Sequence, residues 1–225
     1  MRRRLNPHMK RIAFFGGTFD PVHCGHITIA KRLLDLFRLD EFVFLPAFHA
    51  PHKPDRSPTS AYHRFAMLTL ATSDERRMRV STLELDHAVR RYTVDTLPEI
   101  IGRFPNDTIF FVMGADSWSD IRTWREWEKV MLMTNHIVVT RPGHEIGFDH
   151  VTDAVRDRIV DLRDLSIAPV VENGPPLRIY ITDIVRLDVS ATGIREDVRV
   201  DDRLDRDDDV PEEVAKYIEK YELYK

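Results

Sequence analysis

Gly16-Gly17-Thr18-Phe19-Asp20-Pro21-Val22-His23-Cys24-Gly25-His26 joins the apolar run Arg11-Ile12-Ala13-Phe14-Phe15 to a stretch of helical periodicity, Ile27 to Phe37. In that stretch Ile27, Ala30, Leu33, Leu34 and Phe37 share one face, and Lys31, Arg32 and Asp35 take the other, the pattern of an amphipathic helix. An apolar strand, a glycine-rich turn and a helix in direct succession read as the opening unit of a parallel α/β sheet. Adjacent glycines let a backbone approach a ligand closely, and amides at a helix start point toward any anion placed there. His23 and His26 stand at that start, where they can converge on one oxygenated centre, and Gly25 leaves room for a base or ribose. Each feature alone is weak, because Gly-Gly pairs are commonly turns and neighbouring histidines commonly have no role. A His pair without an evident third Cys, Asp or Glu ligand argues against structural zinc.

The alternation continues along the chain. Apolar runs bounded by turn residues recur at Glu41 to Leu45, Met78 to Leu83, Thr108 to Met113, His136 to Thr140 and Arg178 to Ile181. They are rich in Val, Ile and Phe and too continuous to be half exposed, which predicts strands covered on both faces. Helical patterns lie between them at Ala61 to Ala71, Val94 to Phe104, Trp124 to Met131 and Val155 to Leu162. This order predicts a doubly wound, Rossmann-like α/β fold, a parallel sheet with helices on both faces and ligands at the carboxyl ends of the strands. A polar, mostly acidic run from Asp201 to Asp209 reads as a solvated loop, and Pro211 then opens a C-terminal helical segment to about Tyr224. Ala47 to Ser60, with Pro51, Pro54, Pro58, His49 and His52, has no periodic pattern; loops of that length are often functional.

At 225 residues, 43% hydrophobic and 31% charged, the chain suits a single domain over residues 10–225, with 1–9 expected as a disordered extension. A net charge of -4 and a pI near 6.2 give the surface as a whole no attraction for nucleic acid or an acidic membrane. Phosphate recognition must therefore be local. Arg2-Arg3-Arg4 is basic like the start of a signal peptide, but the apolar run that follows is short, contains Gly16 and Gly17 and lacks a small-residue cleavage site. No stretch approaches the roughly 20 apolar residues that span a bilayer. The single cysteine, Cys24, forms no internal disulfide, so a cytoplasmic location is expected. The oligomeric state is left open, a homodimer included.

Taken together, these motifs resemble the HxGH nucleotidyltransferase superfamily and, within it, the bacterial nicotinate mononucleotide adenylyltransferases. Gly16 to His26 is similar to the first signature. Pro51-His52-Lys53, Arg91-Tyr92-Thr93-Val94-Asp95-Thr96-Leu97, Gly114-Ala115-Asp116-Ser117, Trp124 with Trp127, and Arg141-Pro142-Gly143 follow in order. Val189-Ser190-Ala191-Thr192-Gly193-Ile194-Arg195 resembles the second nucleotide signature, and the likeness runs from Lys10 to Lys225. Phosphopantetheine adenylyltransferases share the outer signatures but lack the Tyr-Thr-x-Asp-Thr-Leu and paired-Trp segments. Class I aminoacyl-tRNA synthetases are longer and add a tRNA-binding region. Two departures stand out: Val189 and Ala191 replace the usual Ile and second Ser, and the 201–209 run is unusually acidic.

The resemblance implies adenylyl transfer from ATP to nicotinate mononucleotide, giving nicotinate adenine dinucleotide and pyrophosphate. A phosphate monoester, with a second pKa of about 6, is already largely ionised and needs no general base. The enzyme's task is positioning and charge stabilisation. The catalytic residues implied are His23 and His26, donating to phosphate oxygens, Lys53 as a mobile cation, and Arg195 on the β- and γ-phosphates. For ATP the resemblance implies Gly16, Gly17, Thr18, Phe19 and Gly25, then Gly114 with Asp116 at the ribose, and Ser190, Thr192 and Ile194. For the pyridine mononucleotide it implies Thr93, Trp124, Arg125 and Arg141, with the indole of Trp124 stacked on the ring and backbone amides at the carboxylate. That arrangement favours nicotinate over nicotinamide. Mg²⁺ is expected to bridge the phosphates without dedicated protein ligands.

Local sequence leaves other readings beside these. Asp116 can cap the following helix, Trp124 and Trp127 can be core aromatics, and Arg195 can be a plain surface residue. At a helix start, however, Arg195 opposes the dipole unless an anion is present. For the whole chain the alternatives are an adenylyltransferase for nicotinamide mononucleotide or another phosphorylated acceptor, and a non-catalytic nucleotide-binding regulator.

Overall fold

The computed structural model describes residues 9–48, 58–87, 89, 91–140, 146–163, 176–185, 189–201 and 209–225. Residues 1–8 of the expected extension and 202–208 of the acidic run lie outside them. Strands β1 (Arg11–Gly17), β2 (Glu41–Pro46), β3 (Met78–Val80), β4 (Thr108–Gly114), β5 (Asn135–Val139), β6 (Ile159–Asp161) and β7 (Ile179–Thr182) form one sheet. Its order is β3-β2-β1-β4-β5-β7-β6, and every pairing is parallel. The chain is a doubly wound α/β protein. The strand order reverses between β1 and β4, where this architecture opens a crevice at the strand ends. Gly17 and Gly114 end those two strands.

Side chains alternate across the sheet. Ala13, Phe15, Phe42, Phe44, Phe110 and Val112 meet Ala30, Leu33 and Leu34 of α1 (Cys24–Leu36), Met67 and Leu68 of α2 (Ala61–Ala71), and Val214 and Ile218 of α8 (Glu212–Lys220). Ile12, Phe14, Val43, Ile109, Phe111 and Met113 face the opposite side. There they meet Val94, Leu97 and Ile100 of α3 (Thr93–Arg103), Trp118 of α4 (Ala115–Ser119), and Val130 and Met131 of α5 (Trp127–Met133). Strands β1, β2, β4, β5 and β7 are covered on both faces, which is the physical reason their sequences lack polar alternation; the edge strands β3 and β6 each carry an exposed residue, Arg79 and Asp161. A fully buried Phe or Leu contributes roughly 1.5–3 kcal/mol, so the pattern fixes register.

Two helix ends use the same device. After α1, Arg38 takes a left-handed φ of 49° and the Leu39 N–H donates back to Leu34 O at 2.9 Å. After α8, Glu222 has φ 50° and the Leu223 N–H donates to Ile218 O at 3.0 Å. Both are Schellman turns made without glycine. The second aims the chain at Tyr224 back toward the carboxyl end of β1.

Three local expectations are corrected. The helix expected over Val155 to Leu162 is a short α6 (Asp153–Arg156) followed by β6. β7 offers an open edge there, taken up by bonds from Ile179 N to Arg158 O at 2.9 Å and from Leu162 N to Ile181 O at 2.8 Å. The β-branched Ile159 and Val160 suit that pairing better than an isolated helical turn. The helix expected from Trp124 begins only at Trp127, because Trp124 is extended (ψ 141°) and Glu126 is left-handed (φ 49°). The strand expected over Met78 to Leu83 stops at Val80. Among the described residues no helix is long and apolar enough to cross a membrane.

Candidate active site

The first signature forms the turn between β1 and α1. His23 is the N-cap of α1 in extended conformation (φ -139°, ψ 170°), so its ring and that of His26, one helical turn on, lie side by side with centroids 3.7 Å apart. The His23 N–H donates to His26 Nδ1 at 3.3 Å. A neutral ring that accepts at Nδ1 carries its proton on Nε2, which makes His26 a donor away from its own helix. Phe19 meets the His26 ring edge-on at 5.0 Å and holds it from behind. His23 is buried and His26 half-buried.

The glycines have a reason that the sequence reading did not give. A Cβ at Gly16 would lie 2.9 Å from the Phe111 ring, at Gly17 2.8 Å from Phe19, and at Gly25 3.0 Å from the His23 ring. The space assigned to a ligand against these backbones is taken on the Cβ side by the protein's own rings, and glycine is needed to admit them. At Gly114 the Cβ side is open. Asp116 lies exposed in the first turn of α4, whose N-cap is Gly114; the alternative of Asp116 as the cap is corrected, because the chain turns into the helix before reaching it.

Behind the turn lies a buried polar network. Arg64, fully buried on α2, donates from Nη1 to Thr18 O at 2.6 Å, from Nε to Thr59 O at 2.9 Å, and from Nη2 to Ala47 O at 2.6 Å and Phe48 O at 3.3 Å. Burial lowers its pKa and the nearby Asp20 carboxylate opposes that, so it remains a guanidinium. Asp20, also buried and followed by a cis peptide to Pro21, accepts from Tyr224 Oη at 2.8 Å and from the Thr59 N–H at 3.1 Å. The Cys24 N–H, at the start of α1, donates to Asp209 O at 2.8 Å. The helix start is thus partly spoken for by the segment that leads into α8.

The second signature arrives at the same place. Ser190 Oγ accepts the Gly193 N–H at 3.1 Å, the N-cap geometry that starts α7 (Ala191–Asp201). Ile194 is buried in the core shared with α1. Arg195 donates from Nη1 to Asp20 O at 2.6 Å and from Nη2 to Thr192 Oγ1 at 3.1 Å. Its guanidinium is therefore anchored beside the His23–His26 turn, across 175 residues of sequence. Lys53 and Arg141 lie outside the described residues.

The described residues expected at the pyridine ring, Thr93, Trp124 and Arg125, gather on the other side of Phe111. Trp124 meets Phe111 edge-on at 6.4 Å, and the same Phe111 ring fills the space over Gly16. Arg125 is exposed, its guanidinium 5.3 Å from the Tyr92 ring centroid, beside Thr93 at the start of α3. Trp124 and Trp127 are both half-buried against the core on this face. One further group was missed: Glu84 accepts from Thr96 Oγ1 at 3.0 Å. Burial pushes its pKa up to about 7, against the bond from Thr96 and the charges of Arg91 and Arg64. The available signal was a lone acid inside Leu83-Glu84-Leu85.

The cytidylyltransferase-like family model matches residues 14–197. A protein of Citrifermentans bemidjiense named "Probable nicotinate-nucleotide adenylyltransferase" is 35% identical over 223 residues, covering 95% of this chain and 98% of its own. One of the same name from Thermoanaerobacter sp. is 35% identical over 216 residues, covering 96% of this chain and 94% of its own. The solved structure of Plasmodium falciparum nicotinic acid mononucleotide adenylyltransferase complexed with NaAD is similar in fold, with a TM-score of 0.73 at 23% identity over 96% of this chain and 97% of that one.

Proposed function

This chain belongs to the nicotinate-nucleotide adenylyltransferases of the cytidylyltransferase-like family, and from that membership we propose that it transfers the adenylyl group of ATP to nicotinate mononucleotide. The bond that forms joins the mononucleotide phosphate oxygen to the α-phosphorus; the bond that breaks releases pyrophosphate. The observation that carries the reading is the His23–His26 pair, 3.7 Å apart at the start of α1, with Arg195 anchored next to it on Asp20 O.

The acceptor phosphate is its own nucleophile, so no side chain has to take a proton. His26 Nε2–H and the His23 ring serve as donors to phosphate oxygens as negative charge shifts toward the leaving pyrophosphate, and Arg195 holds its β- and γ-phosphates. Preorganised donors of this kind contribute on the order of 10²–10³ in rate each. Thr18 and the turn amides complete the cradle, with Lys53 as a further cation. Gly114, open on its Cβ side, and Asp116 take the ribose. Mg²⁺ would be held through the ATP phosphates, without dedicated protein ligands. The donor set fits that, since imidazole, amide and guanidinium bind phosphate, whereas the Asp20 carboxylate is already bonded by Tyr224 and Thr59. When bound, the ion neutralises phosphate charge. At the acceptor end Trp124 stacks on the pyridine ring, with Thr93, Arg141 and the Trp124–Arg125 backbone at the carboxylate.

The test is to supply ATP, Mg²⁺ and either nicotinate or nicotinamide mononucleotide, and to follow pyrophosphate and dinucleotide together. The expected result is stoichiometric release of both products with at least a tenfold preference for nicotinate, about 1.4 kcal/mol. Pyrophosphate without dinucleotide, or no product from either acceptor, overturns the proposal.

A further inference from the structure

Asp20 is bonded at three points by segments that come from three remote parts of the chain. One carboxylate oxygen takes the Tyr224 hydroxyl at 2.8 Å, the other the Thr59 N–H at 3.1 Å, and its backbone carbonyl takes Arg195 Nη1 at 2.6 Å. The Tyr224 bond spans 204 residues. Arg195 therefore points where the Asp20 carbonyl directs it, and that carbonyl is where the carboxylate bonds leave it.

Both sides of the contact are held in unfavourable backbone conformations. Tyr224 has φ 73° and Phe19, immediately before Asp20, has φ 50°, the left-handed region that a side chain with a Cβ disfavours. Such strain persists where surrounding contacts over-determine it, and it clusters at functional sites. The turn after α8 is fixed from below by the Leu223 N–H on Ile218 O. Burial first, then the Asp20 charge, push the Tyr224 phenol far above its usual range, so it stays a donor at every pH the protein meets.

We propose that the Tyr224 hydroxyl is a positioning group for the nucleotide site: by holding Asp20 it fixes the carbonyl that orients Arg195 and the turn that carries His23 and His26. The kinetic side of this rests on the adenylyl-transfer reading. In this role Tyr224 acts through Asp20, and the orientation it sets is that of Arg195, His23 and His26.

Tyr217 supplies the control. It lies on α8 itself, and its hydroxyl makes a bond of like length, 2.9 Å to His63 Nδ1, with no link to Asp20. Tyr224→Phe and Tyr217→Phe each delete one oxygen from the same structural unit. Tyr224→Phe is expected to lower kcat about tenfold with the KM for nicotinate mononucleotide within twofold, while Tyr217→Phe leaves kcat within twofold. Independently of turnover, the ¹⁵N imidazole resonances of His23 and His26 should shift in Tyr224→Phe and stay in place in Tyr217→Phe. Resonances unmoved in Tyr224→Phe, or moved equally in both variants, overturn the proposal even if the wild-type protein turns over neither pyridine nucleotide. Inactivity of the wild type with moved resonances leaves the positioning role standing and removes only the assigned reaction.

Discussion

The nucleotide turn and the Trp124–Arg125 turn lie on either side of Phe111, whose ring fills the space over Gly16 and takes Trp124 edge-on. The first is tied from beneath by buried, charge-assisted bonds: Arg64 to four backbone carbonyls, and Asp20 to Tyr224, Thr59 and Arg195. The second rests on half-buried aromatic contacts and an exposed guanidinium over Tyr92. Removing one partner from a buried charged network costs several kcal/mol, whereas exposed aromatic and cation–π contacts contribute about 0.5–1 kcal/mol. The contrast suits the chemistry proposed. On that proposal, phosphate charge shifts most at the first turn, where displaced donors would forfeit rate, while the second would have only to recognise a flat ring and its carboxylate.

The largest effect that would sharpen this contrast is at the centre of the first turn. His26→Ala removes the donor proposed for the reacting phosphates, and kcat is expected to fall by roughly 10²–10³ with circular dichroism and thermal midpoint close to wild type. Loss of less than tenfold would place the charge stabilisation elsewhere and break the comparison at its stronger end.

Glu84 joins the two regions, bonded to Thr96 on α3 and coupled in charge to Arg64. Its folded pKa is raised from 4.5 to about 7, so the folded state holds a proton that the unfolded state has released between those values. The stability Glu84 contributes is whole below about pH 4.5 and is lost as pH rises through about 7, by roughly 3 kcal/mol. His136, fully buried on β5 with Nε2 donating to Val130 O at 3.0 Å, works in the opposite sense. Burial lowers its pKa from 6.5 to about 4, so its contribution is present above 6.5 and lost as pH falls through 4. Between pH 4.5 and 6.5 the two slopes nearly cancel. Glu84→Gln should unmask the histidine: urea unfolding of the variant is expected to show stability rising with pH across that window and exceeding wild type near pH 8. Parallel curves for the two proteins would show that Glu84 is not buried as described.

These regions also differ in how far the sequence disclosed them. The His23–His26 turn was legible because one strand, one turn and one helix are contiguous, and their chemistry is local. Arg64 was half legible, since it shares the buried face of α2 with Ala61 and Leu68, a position where a charge demands a partner. Its partners could not be read, because backbone carbonyls carry no residue type. The Asp20–Tyr224 bond left no local trace at all, spanning 204 residues. At the second turn the apolar pattern over Trp124 to Met131 suggested a continuous helix, but periodicity registers side chains and is blind to the left-handed residue at Glu126. The same limit applies at β6, where the open edge of β7 decided between helix and strand for Ile159 and Val160.

The smallest expected effect tests the weaker region. Arg125 is exposed, and its guanidinium lies 5.3 Å from the Tyr92 ring centroid, a contact of about 0.5–1 kcal/mol at an exposed site. Because only the Arg125 backbone is assigned to the nicotinate carboxylate, Arg125→Ala should leave kcat unchanged and raise the KM for nicotinate mononucleotide less than threefold. The small rise would come from a looser turn beside Thr93, not from a lost ligand contact. A rise of tenfold or more, confined to the nicotinate substrate and absent with nicotinamide mononucleotide, would mean that the guanidinium itself meets the carboxylate. The acceptor end would then select its substrate by charge, and the division of labour between the two turns would have to be drawn differently.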